Sequence, residues 1–199
     1  MDAHLADPPT TIAPDLADLS RELFAELRDA SHDGTGITRE TYGPGETAAM
    51  RRIETIALGA GLRCEWDAAA NLRVTLPGTD PALPAAACGS HLDSVPQGGN
   101  YDGAAGVIAG LVAILGAARG PRPRRTTHLF VLRGEESAWY GRPYLGSSAL
   151  FGAFDPAWLD LPNLRDPALT LRAVMAREGA DVQCIADQTK LLDPATLSH

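Results

Sequence analysis

Five residues of the chain have side chains suited to holding a metal ion and activating water. His91, Asp93 and Asp102 lie within one glycine-rich segment, and the adjacent pair Glu135 and Glu136 follows a later apolar run. Imidazole nitrogens and carboxylate oxygens are common ligands of zinc and related divalent ions. Two adjacent carboxylates near a core repel each other, and a cation relieves this if one binds it and the other acts as a base. These residue types therefore favour metal-assisted hydrolysis.

Each of these residues also has a simpler interpretation when it is taken alone. His91 and Asp93 form a His-x-Asp pair, which is common on surfaces, although Asp93 could also accept a hydrogen bond from the imidazole and fix its tautomer. Asp102 precedes a predicted helix and could be its N-cap. Glu135 and Glu136 could be an exposed pair that opens a helix. Only the combination favours a metal site.

The other polar residues give weaker signals. His128 lies inside an apolar run and is interpreted as a hydrogen-bonded core histidine, whereas His4 and His32 have polar surroundings and receive no role. A serine nucleophile is disfavoured because no Gly-x-Ser-x-Gly elbow surrounds the candidates. Those candidates are Ser137, Ser147 and Ser148.

The apolar pattern predicts the elements that position these residues. Helical spacing begins at Asp15 and recurs over 46–58, where Gly59 and Gly61 end the helix, and over 104–118. Alternation predicts short strands over 62–66 and 72–76. The runs 85–90 and 126–132 predict buried strands, the first covered on both faces. A later helix is predicted to begin with Asp166 as N-cap and Pro167 at its first position, and to end before Gly179.

This order of elements favours an α/β fold with a partly parallel sheet flanked by helices. In such folds, sites lie at the carboxyl ends of the strands, where His91 and the Glu135-Glu136 pair both fall. Residues 1–14 are polar and proline-rich and are expected to form a loose arm, and residues 15–199 are expected to form one domain or part of one.

Composition excludes several classes of function. The chain has 199 residues, a net charge of −8 and a pI near 5.0, which argue against binding to nucleic acid or anionic membranes. The basic segment 119–125 contains Pro and Gly and is interpreted as a solvated loop. Three widely spaced cysteines indicate free thiols in a reducing compartment. The first residues lack the features of a signal peptide, so we expect a cytoplasmic protein.

Together these residues resemble the M20-type metallohydrolases, and within them the amidase branch of N-carbamoyl-L-amino acid hydrolases and allantoate amidohydrolases. Two long motifs carry the resemblance, GSHLDSVPQGGNYDGAAGVIAGL at 89–111 and RGEESAWYGRPYLGSSAL at 133–150. Weaker matches at 41–62 and 67–78 keep the same order along the chain. The likeness implies a zinc-exopeptidase-like catalytic domain.

The resemblance also implies a role for each candidate residue. His91 resembles a ligand of a first metal ion and Asp93 its orienting partner, while Asp102 resembles the bridge between two ions. Glu136 resembles a ligand of the second ion, and Glu135 the general base. The family usually uses two zinc ions, with manganese, cobalt or nickel in some members.

The chain departs from the family in ways that bear on its activity. Family members are about twice as long and carry a further histidine in a His-Ile-Glu-Gln-Gly motif, another near the C-terminus, and a lid domain that dimerises and binds substrate. Residues 191–199 resemble the lead-in to the first of these motifs, and His199 is not expected to be the ligand. Each metal would then receive only Asp102 and one other side chain, whereas catalytic sites normally have three protein ligands. We therefore expect a truncated domain with weak metal binding, little activity and an exposed apolar face or sheet edge.

The expected function is hydrolysis of a C–N bond in a linear amide, such as an N-carbamoyl group on an amino acid or an allantoate-like substrate. Two alternatives remain open at this point. One is an M20-type aminopeptidase or dipeptidase, and the other is a non-catalytic remnant of such an enzyme.

Overall fold

The computed structural model describes residues 14–198. The predicted arm therefore lies outside the described residues, apart from Pro14, which begins the first helix. Six α-helices and four strands follow one another in this part of the chain. They are α1 (Pro14–Ser31), α2 (Pro44–Gly59), β1 (Arg63–Trp66), β2 (Leu72–Leu76), β3 (Ala86–His91), α3 (Ala104–Ala118), β4 (Thr127–Leu132), α4 (Leu145–Leu150), α5 (Leu171–Arg177) and α6 (Val182–Ala186). Short 3₁₀ turns lie at Pro156–Asp160 and Pro194–Thr196.

The four strands form one mixed sheet in the order β1-β2-β4-β3. β1 and β2 form an antiparallel pair, as do β2 and β4, whereas β3 and β4 are parallel. The connection from β3 to β4 passes through α3, as a parallel pair requires. The predicted α/β fold with a partly parallel sheet flanked by helices is confirmed.

The main core lies between the sheet and α1, α2 and α3. Alternate strand residues, such as Leu72 and Val74 of β2, point into this core, because successive side chains of a strand face opposite ways. Leu23 of α1 and Leu111 of α3 have no exposed surface. Burial of each such side chain contributes about 1.5–3 kcal/mol, so this core fixes the ends of β3 and β4, from which the candidate loops leave.

A second cluster forms around the chain that follows β4. It includes Trp139, Phe154, Leu171 and Met175, all buried. The Trp139 indole donates to the carbonyl of Ser94 at 2.8 Å. This bond joins the loop after β4 to the loop after β3.

The prediction that 85–90 is covered on both faces is wrong. β3 is at the edge of the sheet, and Ala87, Cys88 and Gly89 are exposed. Small apolar side chains are compatible with a central strand, but they are also compatible with an edge strand, so composition alone did not distinguish the two. The expected exposed sheet edge is present along β3.

The predicted start of the later helix is also wrong. α5 begins after Thr170, whose hydroxyl accepts the amide of Ala173 at 3.3 Å, and not after Asp166. Asp166 caps a turn instead, since its carboxylate accepts the amide of Ala168 at 3.2 Å. The same Asx geometry serves helix caps and isolated turns. Gly179 follows the helix end with φ +93°, as predicted.

The remaining local predictions can be compared directly. His128 is half-buried in β4, and its Nδ1 lies 2.9 Å from the hydroxyl of Thr75, which fits a hydrogen-bonded core histidine. Cys64, Cys88 and Cys184 are free thiols. Between residues 14 and 198, the helices are too short or too polar to cross a membrane.

Candidate metal centre

Three of the five candidate residues meet at the carboxyl ends of β3 and β4. His91 ends β3, Asp102 lies just before α3, and Glu136 follows β4. One ligand atom from each lies within 4.8 Å of the other two. His91 and Glu136 are half-buried and Asp102 is exposed, so an ion held here would keep an open side towards solvent.

Gly103 allows Asp102 to approach His91. Its φ is +65°, and a Cβ at this position would lie 2.5 Å from Cε1 of the His91 ring. Any other residue would therefore be strained and would also displace the imidazole. The N-cap of α3 is Gly103 without a side-chain cap bond, so the interpretation of Asp102 as a helix cap is not supported.

Asp93 is fully buried and accepts hydrogen bonds from several directions. Its carboxylate accepts the Thr41 hydroxyl at 2.6 Å and the amides of Glu135 and Glu136 at 3.1 Å each. Its Oδ1 also lies 3.1 Å from Nδ1 of His91. Asp93 thus orients the imidazole through Nδ1, which leaves Nε2 for a ligand.

The charges of Asp93 and His91 stabilise each other. Burial opposes the ionisation of Asp93, but hydrogen bonds from His91 and Thr41 outweigh it and hold the pKa of Asp93 below its ordinary value. Burial likewise disfavours the imidazolium, yet the Asp93 carboxylate raises the pKa of His91 to about 9. A cation at Nε2 must compete with this proton.

Glu136 lies beside another carboxylate. Burial raises the pKa of its carboxyl, and the nearby Asp102 carboxylate raises it further. Like charges at such proximity are unfavourable unless a proton or a cation lies between them. One imidazole and two mutually repelling carboxylates form a donor set that fits zinc, manganese, cobalt or nickel.

Glu135 is placed differently from Glu136. Its two carboxylate oxygens accept the amide of Ser147 at 2.9 Å and the hydroxyl of Ser147 at 2.8 Å. Burial raises the pKa of the Glu135 carboxyl, and the bonds from Ser147 oppose that rise. Both glutamates are half-buried in a loop, so the interpretation as an exposed pair opening a helix is not supported.

Three residues of the site received no role from the sequence. Thr41 bonds Asp93, while Glu46 and Arg133 form a fully buried ion pair beneath the loop that carries Glu135 and Glu136. All three lie within the motifs at 41–62 and 133–150. Their signal in the sequence was the presence of polar residues inside segments that otherwise pack against the core.

A sheet whose strand ends gather an imidazole and acidic residues is typical of metal-binding α/β domains. The profile of Peptidase family M28 matches residues 71–161, which contain all five candidates. Ureidoglycolate hydrolase of Arabidopsis thaliana is 34% identical over 75% of this chain and 31% of its own length. N-carbamoyl-L-amino-acid amidohydrolase of Paenarthrobacter aurescens is 38% identical over 68% of this chain and 33% of its own length.

Solved structures agree with these matches. A hydantoinase/carbamoylase family amidase from Burkholderia ambifaria superposes with a TM-score of 0.70 and 26% identity, covering 83% of this chain and 42% of that one. The chain belongs to the hydantoinase/carbamoylase family, a Peptidase M28/M20-like group of metal-dependent hydrolases. It spans about a third of the length of the curated relatives it matches.

Proposed function

We propose that the chain carries the metal-binding part of a hydrolase that cleaves C–N bonds in ureido compounds. The observation that carries the proposal is the convergence of ligand atoms from His91, Asp102 and Glu136 within 4.8 Å of one another. Two relatives act, by name, on ureidoglycolate and on N-carbamoyl-L-amino acids, which are both ureido compounds. Linear N-carbamoyl amino acids and allantoate-like molecules are therefore the proposed substrates.

His91, Asp102 and Glu136 would hold the divalent ions, and the resemblance to the amidase branch implies that Asp102 would be shared by two of them. Two bound ions would lower the pKa of water and polarise the scissile carbonyl. Zinc is the proposed metal, with manganese, cobalt or nickel as substitutes. Asp93 keeps Nδ1 of His91 engaged, so that Nε2 is the ring nitrogen left to bind an ion.

Glu135 is the proposed general base. Its carboxyl is half-buried and has a raised pKa, which brings it nearer to the neutral range where a base is most effective. Ser147 holds both carboxylate oxygens through its amide and hydroxyl. Each oxygen keeps a second acceptor site, so Glu135 could accept a proton while Ser147 holds its orientation.

The isolated chain is proposed to bind metal weakly and to have low activity. Catalytic zinc sites normally have three protein ligands for each ion, and His91, Asp102 and Glu136 supply three ligand side chains for two ions. A non-catalytic role remains the second candidate, favoured by the exposed ligand Asp102 and by the engagement of Glu135 with Ser147. A homodimeric, cytoplasmic full-length enzyme remains a prediction.

The experiment that tests the proposal is equilibrium dialysis against buffer that contains zinc or manganese, which detects weak binding, with the bound metal measured by mass spectrometry. We expect the parent chain to retain metal and Asp102→Ala to lose it. Asp187→Ala is a matched control, since Asp187 is exposed directly after α6 and lies outside the cluster. Equal, near-zero metal in the parent and in Asp102→Ala would overturn the proposal.

Activity is the second readout. Ammonia release from N-carbamoyl amino acids and from allantoate, compared with amine release from dipeptides, separates the ureido substrates from the aminopeptidase alternative. Loss of any observed activity in Glu135→Gln with metal content unchanged would support the role of Glu135 as base. Metal binding without turnover of any of these substrates would favour the non-catalytic candidate.

A further inference from the structure

A buried pair of charged residues, Glu46 and Arg133, joins α2 to the loop that carries the glutamates, hereafter the acidic loop (133–136). Glu46 belongs to the first turn of α2, and Arg133 directly follows β4. Both side chains have no exposed surface, and Nε of Arg133 donates to Oε2 of Glu46 at 2.8 Å. The Arg133 guanidinium also lies over the Tyr42 ring, 4.8 Å from its centroid. A buried ion pair costs desolvation and often adds little net stability, so its place in the fold points to a further role.

The contacts of this pair lead to the backbone of the acidic loop. Oε1 of Glu46 accepts the amide of Gly134 at 3.0 Å. The next two amides, of Glu135 and Glu136, donate to Asp93. Three consecutive amides of the acidic loop are therefore all held by two buried carboxylates.

The carbonyl groups of the same loop are held from the other side. They accept amides from the segment that leads into α4, at 2.9–3.2 Å. These bonds run from Gly146 to Arg133, from Leu145 to Gly134 and from Tyr144 to Glu135. These bonds hold the loop backbone in the conformation in which Glu136 meets Asp102 and His91.

We propose that Glu46 and Arg133 are positioning residues that fix the backbone of the acidic loop and so place Glu136 against His91 and Asp102. This inference rests on the proposed metal site. Asp93 alone cannot fix the loop, because it holds the amides of Glu135 and Glu136 but not the turn at Gly134. Gly134 has φ +61° and sits against Thr41 and Tyr42, where a Cβ would lie 2.8 Å from Cγ2 of Thr41.

Loss of the Glu46 carboxylate would release this turn. The Gly134 amide would lose its acceptor, and the buried guanidinium would lose its counter-ion. Burial raises the pKa of Glu46 to about 7, and the charge of Arg133 opposes the rise. The Arg133 guanidinium therefore helps to keep the Glu46 carboxyl ionised. Since metal–ligand distances tolerate only about 0.2 Å, a small shift of the loop would weaken binding at Glu136.

If the pair of Glu46 and Arg133 only stabilised the fold, its loss would raise amide exchange in step with global stability and not selectively in the acidic loop. Two variants separate this role from the positioning role. Glu46→Gln keeps the shape and removes the charge. Glu46→Leu combined with Arg133→Met removes both charges, and such apolar replacement commonly preserves stability, but it also removes the acceptor of the Gly134 amide. Glu26→Gln is the matched control, since Glu26 forms a bidentate but exposed pair with Arg52 at 2.7 and 3.0 Å.

Two measurements are made on the whole chain. Amide hydrogen exchange followed by NMR reports protection of residues 134–136 without metal, and titration with Co²⁺ followed by its visible spectrum reports metal affinity. We expect both Glu46 variants to lose protection in the acidic loop by about tenfold or more, while β4 stays protected, and to bind Co²⁺ about 10–100-fold more weakly. Glu26→Gln and a core cavity variant, Leu23→Ala, should leave both readouts of the folded chain unchanged.

Unchanged amide exchange of the acidic loop in the folded double variant would overturn the inference. It would also be overturned if exchange of the loop rose with the loss of global stability to the same extent in Leu23→Ala as in the Glu46 variants. A parent chain that binds no Co²⁺ would instead count against the proposed function, and the exchange data would still decide whether Glu46 and Arg133 position the loop.

Discussion

The carboxyl end of β3 and its outer edge differ in how far their backbone groups are hydrogen-bonded. At its carboxyl end, the loops around His91 and Glu136 have buried carboxylates as acceptors for successive amides. Along its outer edge, the exposed residues Ala87, Cys88 and Gly89 face no strand among the described residues, where the sheet order ends at β3. The first region specifies one geometry, and the second leaves backbone groups free to pair.

The difference indicates which contacts fix the positions of side chains at the candidate site. Side chains are small along β3, and α3 also exposes the small residues Ala105, Gly106 and Ala109, so the outer edge of β3 has no large side chain that would select a partner. The site region relies instead on buried acceptors with defined donors, each costly to leave unpaired.

The largest effect is expected for Asp93→Ala. The change leaves the Thr41 hydroxyl, two amides and the His91 imidazole without their acceptor. We expect the free energy of unfolding in urea to fall by about 3–5 kcal/mol. The exposed Asp187→Ala should change it by less than about 0.5 kcal/mol. Similar losses of unfolding free energy in the two variants would show that the contacts of Asp93 contribute no more to stability than those of an exposed carboxylate.

The titration of His91 tests the charge balance of the same region. In the metal-free chain, NMR should give a pKa of about 9 for His91, and in Asp93→Asn this pKa should fall to the ordinary value of 6.5 or below. Because the folded pKa lies above the unfolded one, the ion pair stabilises the fold fully below pH 6.5, and this contribution is lost as the pH rises through 9. A parent pKa near 6.5 would contradict the assigned role of Asp93.

A smaller effect is expected for Gly103→Ala. The alanine would adopt φ +65° and crowd the His91 ring, at a cost of about 1–3 kcal/mol in unfolding free energy. Metal content after dialysis should fall as well. Gly99→Ala in the same loop meets nothing within 4 Å and has no positive φ, so it should retain both properties. Equal behaviour of the two variants would show that the close approach at Gly103 is unimportant.

The smallest effect concerns the open edge of β3. We expect the chain to associate with increasing concentration, as measured by sedimentation velocity, because an exposed edge strand can pair with another chain. Ala87→Lys should weaken this association about tenfold, or about 1.4 kcal/mol. Ala30→Lys, the same change at an exposed position of α1, should not. A parent chain that stays monomeric at high concentration would refute the prediction.

Much of this protein could be predicted from short-range patterns. The periods of apolar residues identified α1, α2, α3, β1 and β2, because a buried helix face or strand face must repeat with the geometry of its element. Uninterrupted apolar runs identified β3 and β4. The motif containing His91 and Asp102 and the pair at Glu135 and Glu136 indicated a metal site, since His91 and the pair fall at the carboxyl ends of strands predicted in a partly parallel sheet.

Only the tertiary structure decided which side chains share one site and which support it. It brought Glu136 to His91 and Asp102 but engaged Glu135 with Ser147, although the two glutamates are adjacent in sequence. It placed β3 at an edge and gave Glu46 and Arg133 their buried pairing. These outcomes depend on strand order and on contacts between residues far apart in the chain, which local periodicity does not encode, because a helical or extended pattern states which face is buried but not which partner covers it.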